Sequence, residues 1–150
     1  MADLAAAARR ALDEGRPLGL AMVDLDDFKK VNDTLGHLAG DALLAGVAAR
    51  MRDVVRTAEA PYRYGGEEFA MLLPDADLEV AASVGERIRA SVGDRPFEVG
   101  LGTRRTVTCS VGVASLPGNA RDAEGLVAAA DAALLRAKAD GKDRVVRSGG

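Results

Sequence analysis

The stretch Leu18-Gly19-Leu20-Ala21-Met22-Val23-Asp24-Leu25-Asp26-Asp27 decides how the rest of the chain is read. Leu18–Leu25 is a short apolar run that ends in acid, which predicts a central strand whose C-terminal edge opens into a site. Clustered carboxylates repel one another unless a cation sits between them. Magnesium suits such a place best, because it takes hard oxygen ligands and keeps positions for water and phosphate. Asp26 and Asp27 also fit a simpler reading, in which they begin the next turn.

Outward from this strand, local patterns alternate between helix and hairpin. Residues 3–14 are alanine-rich and stop at Gly15-Arg16-Pro17, a helix with its terminator. Residues 39–57 place Leu43, Leu44, Val47, Met51, Val54 and Val55 at helical spacing. The runs 62–64 and 69–73 flank Gly65-Gly66 as a hairpin that Pro74 closes. Residues 76–92 form a third helical pattern ending at Gly93. The segments 96–99 and 105–113 predict a second hairpin turning at 100–103, with Val107, Cys109, Val111 and Val113 facing inward. Residues 122–140 predict a last helix with Asp122 as N-cap and Gly141 as its stop, and residues 144–147 a final strand. This mixture argues for an α+β domain, a mostly antiparallel central sheet flanked by helices.

Composition narrows the functions. The 150 residues carry 23 acidic against 20 basic side chains, so no broad positive field offers itself to a nucleic acid. The apolar runs are interrupted by charge well short of the roughly 20 residues a membrane span needs, and no signal-peptide pattern opens the chain. A cytoplasmic domain without membrane contact is expected. The lone Cys109 reads as a buried small hydrophobe on a strand. Because the sequence opens inside a helix and ends Ser148-Gly149-Gly150, residues 1–150 are expected to be one domain excised from a longer protein, without its N-terminal regulatory region.

The second decisive stretch is Tyr64-Gly65-Gly66-Glu67-Glu68-Phe69, two glycines that permit close backbone approach followed by two carboxylates. Taken with Asp24-Leu25-Asp26, Phe28-Lys29, Asn32-Asp33, Gly36-His37 and Gly40-Asp41, in that order and spacing, the chain resembles the GGDEF family of diguanylate cyclases from about residue 16 to residue 146. The resemblance implies a ferredoxin-like, palm-type core similar to nucleotidyl cyclases. It also implies magnesium-dependent synthesis of cyclic di-GMP from two GTP, at the interface of a homodimer.

Residue by residue, the resemblance implies that Asp24, Glu67 and the Leu25 carbonyl ligate magnesium, with Glu68 at a second metal position. Two ions per site are implied, with manganese as the substitute. Glu67 is also the implied acceptor of the ribose 3′-hydroxyl proton, a role a metal-bound hydroxyl makes easier. Asn32 and Asp41 match positions that read guanine, His37 lies between them, and Phe28 and Lys29 match positions near the triphosphate. Lys138 and Lys142 match a basic pair that holds terminal phosphates.

Three departures stand out. The product-inhibition motif, arginine and aspartate three apart, is Arg56-Thr57-Ala58-Glu59 here, which predicts weaker feedback because glutamate adds a methylene and a rotor. The usual tyrosine after Leu134 is Leu135, and the usual asparagine after the second lysine is Asp143. Two other classes of function compete with the cyclase. One is a catalytically silent module that binds GTP or cyclic di-GMP, the other a scaffold that only dimerises a signalling protein.

Overall fold

The computed structural model describes residues 2–55 and 61–149. Elements follow as α1 (Ala2–Glu14), β1 (Leu18–Leu25), α2 (Phe28–Leu35), α3 (His37–Val54), β2 (Tyr62–Arg63), β3 (Glu68–Pro74) and α4 (Leu78–Gly93). After them come β4 (Phe97–Glu98), β5 (Arg104–Arg105), β6 (Cys109–Leu116), α5 (Ala123–Ala139) and β7 (Val145–Arg147).

β1 is the middle of a five-stranded sheet in the order β2-β3-β1-β6-β7. It runs antiparallel to β3 and β6, while β7 joins β6 in parallel. Side chains alternate across a strand, so β1 feeds two cores at once. Ala21, Val23 and Leu25 join Val47, Met51 and Ile88 under α3 and α4. Leu18, Leu20 and Met22 join Leu4, Leu126 and Leu134 under α1 and α5. The expected α+β architecture is therefore a sheet buried on both faces, which is why β1 and β6 read as continuous apolar runs rather than alternating ones.

Two local expectations change. The second hairpin is confined to β4 with β5, and the long arm 105–113 breaks into β5 and β6. A strand with β1 on one side and β7 on the other has no free edge left for β4, so β6 cannot also serve as a hairpin arm. Residues 28–35, for which no element was expected, form the short helix α2 with Phe28 and Val31 buried.

The height of α5 above the sheet is fixed at Gly112. A Cβ there would lie 2.2 Å from the Ala130 carbonyl oxygen and 2.3 Å from the Leu134 nitrogen, both backbone atoms of α5 that cannot turn aside. Gly112→Ala should therefore lift the helix and cost about 3 kcal/mol or more. Thermal unfolding should record a fall of roughly 6–12 °C; an unchanged melting temperature would contradict this account of the packing.

Candidate active site

The alternation of β1 carries past its apolar part. With Leu20 and Met22 facing α5, Asp24 faces α5 as well, and pairing places it directly opposite Glu68 on β3 and Ser110 on β6. Two carboxylates opposed across a strand pair destabilise the sheet. The turn before Glu68 is tied down: Tyr64 N donates to the Glu68 carbonyl at 2.8 Å, Arg63 Nη2 to the Gly66 carbonyl at 2.7 Å, and Leu25 N to the Glu67 carbonyl at 3.3 Å. Neither Gly65 nor Gly66 has a positive φ, and a Cβ at Gly66 would meet nothing within 4 Å. The chain's own packing does not demand glycine there.

Burial pushes the Asp24 carboxyl above its ordinary value, and the Lys138 ammonium only partly opposes this. Glu67 and Glu68 are raised too, first by burial and then by the Asp24 charge beside them. Asp24 Oδ1 is buried without a hydrogen bond, although Lys138 Nζ forms an ion pair with it at 3.3 Å.

Asp26 behaves in the opposite way. It is 4% exposed and accepts from Thr108 Oγ1 at 2.7 Å, Ser110 Oγ at 2.7 Å, Lys138 Nζ at 2.9 Å and the Asp143 amide at 3.0 Å. Burial acts to raise its pKa, but these donors outweigh it and the net shift is downward. Asp26 does stand in the turn after β1, as the simpler reading had it, and it is a buried anchor as well. Thr108 and Ser110, polar residues two apart in an otherwise apolar run, are the one signal in the sequence that could have pointed to it.

Lys138 and Lys142 come to the same corner. Lys138 Nζ also reaches the Leu25 carbonyl at 3.2 Å, so its ammonium touches the carbonyl and carboxylate expected to meet magnesium. Lys142 Nζ pairs with Asp27 Oδ1 at 2.8 Å. Asp27 is the N-cap of α2, in a left-handed conformation and with no side-chain cap bond. The helix therefore starts without the side-chain acceptor that normally satisfies its first amides.

The α2–α3 junction holds the remaining candidates. Asn32 Oδ1 is buried with no hydrogen-bond partner. It lies so close to Gly40 that a Cβ there would stand 1.9 Å away, and Phe28 Cζ would stand 3.3 Å from the same Cβ. Phe28 belongs to the core under α3 and α4, whereas Lys29, His37 and Asp41 are exposed. Arg56 and Glu59 lie outside the described residues.

Magnesium fits this arrangement. Among the described residues no three His, Cys, Asp or Glu side chains converge as a closed cage. Magnesium, however, is usually held by one or two carboxylates and completed by water and substrate phosphates. The orphaned Asp24 Oδ1 and the cross-strand repulsion from Glu68 are what such an ion would relieve.

A two-faced sheet with an acidic strand end, a glycine hairpin across from it and lysines at its rim defines an α+β domain with a charged site at one end of the sheet. The family model "Diguanylate cyclase, GGDEF domain" matches residues 2–144, and the chain belongs to that family. It is 42% identical over 139 residues to the response regulator PleD of Caulobacter vibrioides, covering 92% of this chain and 31% of that protein. The active GGEEF domain of a diguanylate cyclase from Vibrio cholerae superposes with a TM-score of 0.90 at 32% identity, covering 99% of this chain and 94% of that one. The GGDEF domain of DgcB from Caulobacter crescentus, in complex with c-di-GMP, gives 0.89 at 34% identity, covering 99% and 87%. The chain spans about a third of the length of PleD and 20% of that of the diguanylate cyclase DgcP of Pseudomonas aeruginosa, to which it is 44% identical over 138 residues.

Because folding raises the Asp24 pKa, the stability this group contributes is fully present below its ordinary value of 3.8 and is lost as pH rises through the folded value. At neutral pH its charge therefore opposes folding. Asp24→Asn should raise the melting temperature in EDTA by about 2–4 °C, roughly 1 kcal/mol. Magnesium should then stabilise the wild type and leave the variant unmoved. A variant that melts lower, or that still gains from magnesium, would remove Asp24 from the metal site.

Proposed function

We propose that this chain joins two GTP molecules into cyclic di-GMP with release of two pyrophosphates. The observation that carries the reading is the strand-end pair Asp24 and Glu68, with Glu67 beside them, facing Lys138, next to the uncapped start of α2 where Lys142 pairs with Asp27. Asp24, Glu67, Glu68 and the Leu25 carbonyl would hold up to two magnesium ions, which supply charge neutralisation on the phosphates and acidify the attacking hydroxyl. Asp41 would accept from guanine N1–H and the 2-amino group, and the orphaned Asn32 Oδ1 from the 2-amino group. His37, the first residue of α3, would stand at the rim of that base position.

The first amides of α2, with Lys29, would receive the triphosphate. Lys138 would pass from Asp24 to the β- and γ-phosphates while keeping its bond to Asp26, and Lys142 would exchange Asp27 for phosphate. Glu67 would take the proton of the 3′-hydroxyl as O3′ bonds to the α-phosphorus of the other GTP, whose bond to the bridging oxygen of pyrophosphate breaks. One chain can hold only one of the two nucleotides. A two-fold homodimer would bring the two half-sites face to face.

Incubation with GTP and magnesium, followed by mass analysis, should yield cyclic di-GMP. Bound GTP without product would instead support the silent binding module. Glu67→Gln should keep the melting temperature within a few degrees while the rate falls at least about 100-fold; undiminished turnover by the folded variant would sink the assignment.

Asp41 generates a separate expectation about the base. Adenine would leave its carboxylate without donors, so Asp41→Asn should lose roughly 10- to 100-fold of the preference for GTP over ATP. Product masses from equimolar GTP and ATP read this directly, and an unchanged ratio would place guanine recognition elsewhere.

A further inference from the structure

The segment that follows α5 is held in an unusual shape. Gly141, Lys142 and Asp143 have φ values of 126°, 66° and 47°, so three consecutive residues are left-handed and two of them are not glycine. Each such non-glycine residue is strained and persists only where its surroundings fix it. Four contacts do so. Lys142 N donates to the Ala137 carbonyl at 2.9 Å, and the Asp143 amide donates to Asp26 Oδ2 at 3.0 Å. Val111 N donates to the Arg144 carbonyl at 2.9 Å, and Asp143 Oδ1 accepts from Arg89 Nη1 at 2.8 Å.

Arg89 comes from α4, the layer on the other side of the sheet from α5. Its fork is oriented on its own helix by Glu86, through Nε to Oε2 at 2.9 Å and Nη2 to Oε1 at 2.5 Å. The remaining nitrogen thus points at Asp143, with the Arg89 side chain only 26% exposed. A two-point fork of this kind fixes direction in a way an ammonium cannot.

From this geometry we infer that Arg89 is a positioning residue: through Asp143 it holds the left-handed turn against Asp26, and so sets where Lys142 and Lys138 present their ammonium groups. Asp143 is the joint of this chain of contacts, because its side chain meets Arg89 while its backbone amide meets Asp26. Asp26 in turn holds Lys138, and Lys142 is the residue immediately before Asp143. The consequence for nucleotide binding rests on the function proposed above. The clamp on the turn does not.

The test compares the wild type with Arg89→Met, which keeps the aliphatic stem, and Arg89→Lys, which keeps charge without the fork. Amide exchange by NMR should show Asp143 exchanging at least about fivefold faster in Arg89→Met, with amides in the middle of β1 unchanged. Calorimetry should show 3′-deoxy-GTP, which cannot be cyclised, binding about three- to tenfold more weakly, while GMP changes by less than about twofold because it lacks the terminal phosphates. Arg89→Lys should fall between the two.

If Arg89→Met does not fold, Asp143→Asn, whose residue tolerates the left-handed region, should move both readouts in the same direction by a smaller factor. Unchanged exchange at Asp143 in a folded variant overturns the inference. So does equal weakening of 3′-deoxy-GTP and GMP, which would make Arg89 a general structural tie. If the wild type binds no guanine nucleotide, the proposed function fails, and the exchange comparison alone upholds or overturns the clamp.

Discussion

The site is organised around the buried carboxylate of Asp26. Removing such a charge from water costs several kcal/mol, and its neighbours restore this only when every lone pair finds a donor in good geometry. Asp26 has four donors, drawn from the residues leading into β6, from β6 itself, from α5 and from the turn after α5. They fix the end of β1 relative to the neighbouring strand and to the helix above it. The position of Lys138, the shape of the 141–143 turn and the entry into α2 all follow from that one anchored group.

Asp24, two residues earlier, shows how the same backbone treats a second carboxylate differently. Both lie in the interior of the strand end and both touch Lys138. Asp26 also accepts from two hydroxyls and an amide, whereas Asp24 faces Glu68 and has an oxygen with no hydrogen bond. Burial alone would raise both; the donors decide, so Asp26 is held charged and Asp24 is left electrostatically unsatisfied. A structural acid and an acid open to a cation therefore stand side by side.

Much of this was legible in the sequence where a local rule was strong. β1 and α5 follow from apolar patterning, and Asp122 accepts from the Gly125 amide at 2.7 Å as an N-cap should. α2 escaped notice because its cap is a left-handed aspartate that makes no side-chain bond, and because only Phe28 and Val31 on it are buried. The break between β5 and β6 depends on which strands flank β6, a fact of topology that no window of sequence contains. The anchoring role of Asp26 was hidden for the same reason: its partners Thr108, Ser110, Lys138 and Asp143 are all more than 80 positions away in the chain. The roles of Glu67, Asn32 and Asp41 came from resemblance, and local pattern alone would have given a tight turn and a polar helix start.

The close seat of α5 explains how so acidic a strand end can persist in a stable sheet. With no side chain at Gly112, the helix backbone drops onto β6, and Lys138, one turn beyond Leu134, is brought down to the level of the Leu25 carbonyl. Its ammonium then lies among Asp24, Asp26 and that carbonyl, much as a metal ion would. A tethered monovalent cation offsets part of the repulsion between Asp24 and Glu68 but cannot satisfy Asp24 Oδ1 with a directed bond. Lys138 thus offsets part of the acidic cluster, and on the function proposed above the same ammonium would meet the phosphates once a divalent ion displaced it.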